Sequence, residues 1–152
     1  MTTRRRHRPI VGSLIVYIAV IGVITLSPRN DSRGSPLADA VLDFLDRYEA
    51  TAWITFFTLE RSANVFLFLP LGLLLVATLG RRHWVSAIGF GILYSVMIES
   101  CQAMFLPGRV ADPIDVLMNG LGTAIGATLT SVTIRRCQTK RSNGEMRGSP
   151  AS

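Results

Sequence analysis

Polar side chains capable of chemistry interrupt the apolar sequence between residues 95 and 126 in a regular pattern. Ser95, Glu99 and Gln102 follow one another on one apolar segment at spacings of four and three residues. Asp115 and Asn119 lie four residues apart on the next segment. Such spacings place each group on one face of a helix. An ionisable side chain at membrane depth is costly unless it is paired or hydrated, so it marks a functional site by default. We therefore expect the two polar faces to meet.

Two kinds of chemistry fit these residues. Glu99 and Asp115 could act as a general acid and base, if their environments differed enough. Alternatively, the carboxylates could recognise a charged head group together with Arg109, which lies in the short link between the two segments. Gln102 and Asn119 would then orient the ligand, or would simply hydrogen-bond one helix to another. The sequence has no His/Cys cluster for zinc, no Ser-His-Asp set and no glycine-rich phosphate loop, so we expect no metal and no other cofactor.

The elements that must position these residues are charge-free apolar blocks, at residues 10–26, 63–79, 84–98 and 116–134. A helix that crosses the roughly 30 Å hydrocarbon layer needs about 20 mostly apolar residues. The third block reaches that length only by continuing through Glu99 and Gln102 to Phe105. The pattern predicts a single-domain, all-α membrane protein with four transmembrane helices, the third of which covers residues 84–105. Asp112 is positioned to cap the fourth helix.

The distribution of Lys and Arg predicts the orientation of these helices. The net charge is +6, and 11 of the 16 basic residues lie in the two terminal tails and the turn at residues 80–83. By the positive-inside rule, the tails at residues 1–9 and 135–152 should both be cytoplasmic. The C-terminal tail is polar and basic, so we expect it to be disordered. Because the basic residues flank apolar blocks and lack interleaved aromatic residues, we expect no nucleic-acid partner.

The longest loop, between the first two transmembrane helices, contains a candidate amphipathic helix. Ser35 and Pro36 are typical of a helix start, and Leu37, Val41 and Phe44 then recur at helical spacing. This pattern predicts a short helix that either lies on the outer leaflet or packs on the bundle.

The depth of the polar residues follows from the predicted topology. The third helix enters from the cytoplasm near Trp84, so Glu99 lies roughly 22 Å along it at 1.5 Å per residue. Asn64 begins the second helix on the outer side, and Asp115 begins the fourth helix there. We therefore expect a site at the level of the outer leaflet that opens outward.

Residues 64–134 resemble the VanZ-like family of small bacterial membrane proteins. The resemblance is carried by the segment from Asn64 to Gly72, the Glu99-x-x-Gln102 pair, and the run from Arg109 to Gly126. It implies site or packing roles for Asn64, Pro70, Gly72, Glu99, Gln102, Arg109, Asp115, Asn119 and Gly122. The family's namesake is associated with reduced sensitivity to the glycopeptide teicoplanin. The resemblance thus implies a multi-pass protein of the bacterial inner (cytoplasmic) membrane and a role in the cell envelope.

Our leading hypothesis is a non-catalytic envelope protein with membrane lipids as partners. Its ligand-binding residues would be Glu99, Gln102, Arg109, Asp115, Asn119 and Asn64. They would bind a lipid head group, a lipid-linked envelope precursor or a lipoglycopeptide. One alternative is an intramembrane enzyme that acts on a lipid-linked envelope substrate with Glu99 and Asp115 as acid and base. Another is an assembly subunit whose Gly122-x-x-x-Gly126 face docks a partner helix. Helix packing would be served by Pro70, Gly72, Gly122 and Gly126, and the sequence does not indicate an oligomeric state.

Overall fold

The computed structural model describes residues 3–27, 36–45, 47–48, 51, 54–106 and 112–148. Within these ranges the chain forms helices and no strand: α1 (Thr3–Leu26), α2 (Pro36–Leu45), α3 (Phe56–Leu79), a 3₁₀ turn (Arg81–His83), α4 (Trp84–Phe105) and α5 (Pro113–Gly148). Four of the helices are long and apolar enough to cross a membrane: α1, α3, α4 and α5. The predicted all-α class, with four spans and a short helix between the first two, is therefore confirmed.

The helices extend beyond the predicted membrane spans in three of the four cases. Thr55 caps α3, because its side chain accepts a hydrogen bond from the Thr58 amide, so α3 starts at Phe56 instead of residue 63. α1 starts at Thr3 and includes the basic residues before its apolar run. The predicted bounds of α4 agree with the structure at both ends. Charge-free length is thus a measure of the membrane-embedded part of a helix and underestimates the helix itself.

The C-terminal tail differs from the prediction. α5 continues to Gly148, so the residues after Ile134 are helical and not disordered over this range. Extending an existing helix requires no new nucleation, and residues 135–148 contain four Arg and one each of Lys, Gln, Glu and Met, which are good helix formers. With 36 residues, α5 is about 54 Å long at 1.5 Å per residue. It therefore exceeds the roughly 30 Å that a membrane span requires.

The directions of the helices follow from their contacts. Tyr94 Oη donates to the Ile18 carbonyl at 2.7 Å and Gln102 Nε2 donates to the Thr25 carbonyl at 2.8 Å, so α1 and α4 run the same way. α5 packs most extensively on α3 and then on α4. The glycine contacts of α5 show that it runs parallel to α3, and its contacts with Gly91 and Ser95 show that it runs antiparallel to α4. The four long helices alternate in direction, as successive membrane spans must.

The side chains are distributed as in a membrane bundle. Phe68, Leu71 and Val76 of α3 are fully buried against the other helices. Large apolar side chains such as Phe66 and Leu93 are exposed on the outside, where lipid would cover them. Among the described residues, the buried polar side chains all lie on α4 and α5: Ser95, Glu99, Gln102, Asn119 and Thr123. The buried polar residues of the described ranges thus concentrate on α4 and α5.

The short helix α2 begins at Pro36, as the sequence predicts. It makes few contacts, all of them with α3. Phe44 and Tyr48 are 55% exposed, and their rings pack edge to face with centroids 5.5 Å apart. The exposure of the Phe44 ring on α2 fits the membrane-surface interpretation better than packing on the bundle.

Candidate functional site

The seam between α4 and α5 keeps a constant antiparallel register. Gly91 lies against the side chain of Thr123, and one turn further Asn119 Nδ2 donates to Ser95 Oγ at 2.8 Å. Each step of four residues along α4 is therefore matched by a step of four residues back along α5. The next step places Glu99 opposite Asp115. The structure thus brings the two polar faces together, and we call Ser95, Glu99, Asp115 and Asn119 the polar cluster.

Glu99 fixes the start of α5. Its side chain is 8% exposed, and its Oε2 accepts a hydrogen bond of 2.9 Å from the Asp112 backbone amide. Asp112 Oδ1 in turn accepts from the Ile114 amide at 2.8 Å, so Asp112 caps α5 as the sequence predicts. In a capping box, an acidic residue at the third helical position would bind the amide of the capping residue. That position is Asp115, but here Glu99 of the neighbouring helix binds the amide instead.

Gln102 connects α4 to the end of α1. It is 5% exposed, and its Nε2 donates to the Thr25 carbonyl. α1 ends at Leu26, so this carbonyl has no amide partner within its helix. The Gln102 amide supplies the missing donor. This contact fits the second of the two predicted roles for Gln102, a hydrogen bond between helices.

Only part of the hydrogen-bonding capacity of the Asn119 side chain is used. Its Nδ2 is bound to Ser95, which is fully buried, and its backbone carbonyl accepts from Thr123 Oγ1 at 3.0 Å. The side chain of Asn119 is 4% exposed, yet no described residue donates a hydrogen bond to its Oδ1. Leaving a buried acceptor unsatisfied costs about 1–3 kcal/mol. Such a group therefore requires an explanation in a folded protein.

The remaining predicted ligand residues lie around this cluster or outside the described ranges. Asp115 is half-buried in the first turn of α5. Asn64 is half-buried on α3, next to Val65, whose backbone contacts Gly122 of α5. It therefore lies near the level of Asn119. Arg109 falls outside the described residues. Within the described ranges, no group of three His, Cys, Asp or Glu side chains could hold a metal ion.

Glycines bring the backbones of α3 and α5 into contact. A Cβ added to Gly122 would meet the Val65 carbonyl, and one added to Gly126 would meet the Leu69 carbonyl. Since contact points four residues apart on α5 match points four residues apart on α3, the two helices are parallel. Gly72 approaches α5 in the same way, because a Cβ added to it would lie 2.9 Å from the backbone nitrogen of Ala127. Pro70 lies inside α3 within this contact.

These contacts correct one prediction. The Gly122-x-x-x-Gly126 face was predicted as a docking face for a partner helix in the assembly hypothesis. It is covered by α3 of the same chain. Small residues permit close approach but do not specify which helix approaches. The assembly hypothesis is therefore wrong in this form.

Sequence reasoning overlooked three residues that join the helices. Tyr17 Oη donates to the Leu67 carbonyl at 2.8 Å, and Tyr94 Oη donates to the Ile18 carbonyl. Thr123 connects two turns of α5 and packs against Gly91. The available signal was a phenol within an apolar span, because a buried tyrosine hydroxyl usually requires a hydrogen-bond partner.

Comparison with known proteins identifies a family. The VanZ/LLP1 family profile matches residues 14–134, which include most of α1 and all of α3 and α4. Comparison with curated proteins and with solved structures gives no match. The matched region contains the polar cluster and the glycine contact between α3 and α5. This chain is therefore a multi-pass membrane protein that belongs to the VanZ/LLP1 family.

Proposed function

We propose that this protein acts in the bacterial cell envelope by binding a polar head group at the polar cluster. The head group would belong to a lipid, a lipid-linked envelope precursor or a lipoglycopeptide. The observation that carries the proposal is the burial of Glu99 within a membrane-length helix, in a register of α4 and α5 that aligns Glu99 with Asp115. Ionisable groups in such positions are expensive and are retained mainly where they serve a ligand or ion. Arg109 is included in the proposed site on sequence grounds alone.

The distribution of charge supports an outward-facing site in the cytoplasmic membrane. Arg81 and Arg82 are exposed in the 3₁₀ turn, which contacts α5, and Arg135 and Arg136 are exposed on α5. This end of the bundle is opposite to the polar cluster. Basic residues favour the cytoplasmic side, so the polar cluster would face outward and both termini would lie inside.

The family link suggests the physiological effect. The VanZ family is linked to teicoplanin resistance. An outward-facing head-group site would meet the antibiotic, or the lipid-linked material on which it acts, at the outer leaflet. We propose that occupation of the polar cluster lowers the susceptibility of the cell to teicoplanin.

An intramembrane enzyme is the second candidate, and the register supports it because Glu99 and Asp115 lie opposite each other. However, Glu99 Oε2 already accepts the Asp112 amide, so one of its oxygens serves the fold. We therefore favour binding without turnover. Product formation from a lipid-linked substrate by the purified chain, with a bell-shaped pH dependence, would instead favour the enzyme.

The test is teicoplanin susceptibility in a sensitive bacterium that expresses the chain. Glu99→Gln removes the charge but keeps an oxygen that can accept the Asp112 amide. Ser100→Ala is the matched control, because Ser100 is exposed on the same helix and its Oγ donates to the Val96 carbonyl one turn away. We expect the wild type and Ser100→Ala to raise the minimal inhibitory concentration, and Glu99→Gln to lose this effect.

Two results would contradict the proposal. Full protection by equally expressed Glu99→Gln would remove the Glu99 charge from the mechanism. A lack of protection by wild-type protein that is correctly inserted would show that teicoplanin resistance does not extend to this chain.

A further inference from the structure

We infer that the polar cluster binds a primary ammonium group, with Asn119 Oδ1 as its innermost acceptor. This inference rests on the proposed function and specifies the chemical class of the head group. It is carried by the buried acceptor on Asn119, the register of α4 and α5, and the balance of charge in this part of the chain.

The side-chain oxygen of Asn119 lacks a hydrogen-bond donor among the described residues. Its Nδ2 is held by Ser95 Oγ at 2.8 Å, which fixes the carboxamide in the seam between α4 and α5. Its Oδ1 receives no hydrogen bond from any described residue. Because the side chain is 4% exposed, bulk water does not supply the donor. A small group that donates hydrogen bonds would satisfy this oxygen.

The hydrogen-bond acceptors of the polar cluster are spaced to suit an ammonium nitrogen. Glu99 and Asp115 lie one turn beyond Ser95 and Asn119, which is about 6 Å along the helix axes. A charge-assisted N–H···O hydrogen bond spans about 2.7–2.9 Å. An ammonium nitrogen midway between the two levels would thus reach Asn119 Oδ1 on one side and the carboxylates on the other. Its three N–H groups match these three acceptor side chains.

The carboxylates can accept this ligand in addition to the contacts they already make. Glu99 Oε2 takes the Asp112 amide, and Glu99 and Asp115 each have further interactions. A carboxylate offers about four lone-pair positions, so it can accept a further donor beside one that it already binds. The proposal therefore requires neither carboxylate to be unpaired.

The sequence around the polar cluster carries a net negative charge. Residues 99–119 contain the carboxylates of Glu99, Asp112 and Asp115, whereas Arg109 is the single basic residue in this stretch of sequence. The net charge is negative even when Arg109 is counted. A cation is therefore favoured over a phosphate as the group that enters the cluster. The cluster lies between helices whose outer faces are apolar, so the source of the ammonium group is a membrane lipid.

The experiment measures head-group selectivity with the full-length chain in nanodiscs. The probe is phosphatidylethanolamine with a fluorescent acyl chain. The competitors are unlabelled phosphatidylethanolamine, its N-methyl and N,N-dimethyl derivatives, and phosphatidylcholine. We expect affinity to fall with each methyl group, by about tenfold or more over the series, which is the loss expected when hydrogen bonds from a charged donor are removed.

Two variants of Asn119 test the innermost acceptor. Asn119→Leu keeps the branched shape of the side chain but removes the acceptor. Because only the two carboxylates then accept from the ammonium group, we expect its preference for ethanolamine over choline lipids to be smaller than that of the wild type. Asn119→Asp keeps an acceptor at this position, so it should retain the preference for the primary amine. Ser100 is exposed on α4 outside the polar cluster, so Ser100→Ala should also retain it. Comparing these variants separates loss of the acceptor from a general loss of packing.

The possible results distinguish the inference from the proposed function. Equal affinity of the wild type for all four lipids, with binding that still depends on the Glu99 charge, would overturn the ammonium group and leave head-group binding in place. Absence of any Glu99-dependent lipid binding would overturn both. If soluble ethanolamine competed as strongly as the lipid, the ligand would not have to be a membrane lipid. If potassium ions competed, the cluster would not be specific for an ammonium group.

Discussion

At the scale of single residues, Glu99 links the start of α5 to the proposed binding site. Its carboxylate holds the Asp112 amide, and Asp112 caps the helix that carries Asp115 and Asn119. The sequence predicts that the polar faces meet, because spacings of four residues define a helix face. It does not predict the Glu99–Asp112 bond, which depends on where the chain leaves the α4–α5 loop. A local pattern thus identifies the residues of the cluster but not the contact that positions them.

A stability comparison tests this role of Glu99. Glu99→Ala removes the acceptor of the Asp112 amide, and we expect a loss of about 1.5–3 kcal/mol, as for a hydrogen bond to a charged group. Glu99→Gln keeps an acceptor and should lose less. Thermal unfolding of the purified chain in detergent measures the difference, with Ser100→Ala as control. If Glu99→Ala unfolded at the same temperature as the wild type, the Asp112 contact would not stabilise the start of α5.

At the scale of helices, two modes of packing hold the bundle together. α3 and α5 touch through their backbones at Gly72, Gly122 and Gly126. α1 has few buried residues and is held by hydrogen bonds from side chains of its neighbours and its own Tyr17. The sequence predicts close packing at the glycines, but it cannot name the partner, because any helix fits a small-residue face. Only the assembled bundle identifies α3.

Substitution of one glycine tests the α3–α5 contact. Gly126→Ala places a methyl group against the Leu69 carbonyl, a backbone atom that cannot rotate away. We expect a loss of about 1–3 kcal/mol, as for overpacking in a tight core. Gly89→Ala in α4 is the matched control, because nothing lies within 4 Å of the added Cβ. It should be neutral, or more stable by up to about 1 kcal/mol through helix propensity.

The same unfolding measurement distinguishes the two outcomes. A Gly126→Ala protein as stable as Gly89→Ala would mean that α3 and α5 are further apart than the structure indicates.

At the scale of the whole molecule, the two ends of the bundle are chemically different. The polar cluster lies where α4 ends and α5 begins, whereas exposed arginines surround the 3₁₀ turn at the other end. The sequence predicts the four spans because hydropathy reports the apolar membrane layer directly. It does not predict the length of α5, since beyond the membrane a helix can continue without an apolar face. The extension of α5 to Gly148 adds further basic residues to the arginine-rich end.

The orientation of these ends decides whether the polar cluster can meet an antibiotic outside the cell. The chain has two cysteines, and Cys137 is exposed on α5 near Arg135 and Arg136. In a Cys101→Ser variant, Cys137 is the sole thiol. We expect a membrane-impermeant maleimide to leave it unlabelled in intact cells and to label it after permeabilisation. This follows because the arginines beside Cys137 favour the cytoplasmic side.

A thiol at the opposite end provides the matched comparison. Ser27 is exposed just after α1, near the end that carries the polar cluster. In the background Cys101→Ser with Cys137→Ser, a Ser27→Cys variant should be labelled in intact cells. If Cys137 were labelled in intact cells and the Ser27→Cys thiol were not, the polar cluster would face the cytoplasm. Teicoplanin at the outer leaflet could not then reach Glu99 directly, and any protection by the wild type would have to act through a lipid on the inner leaflet.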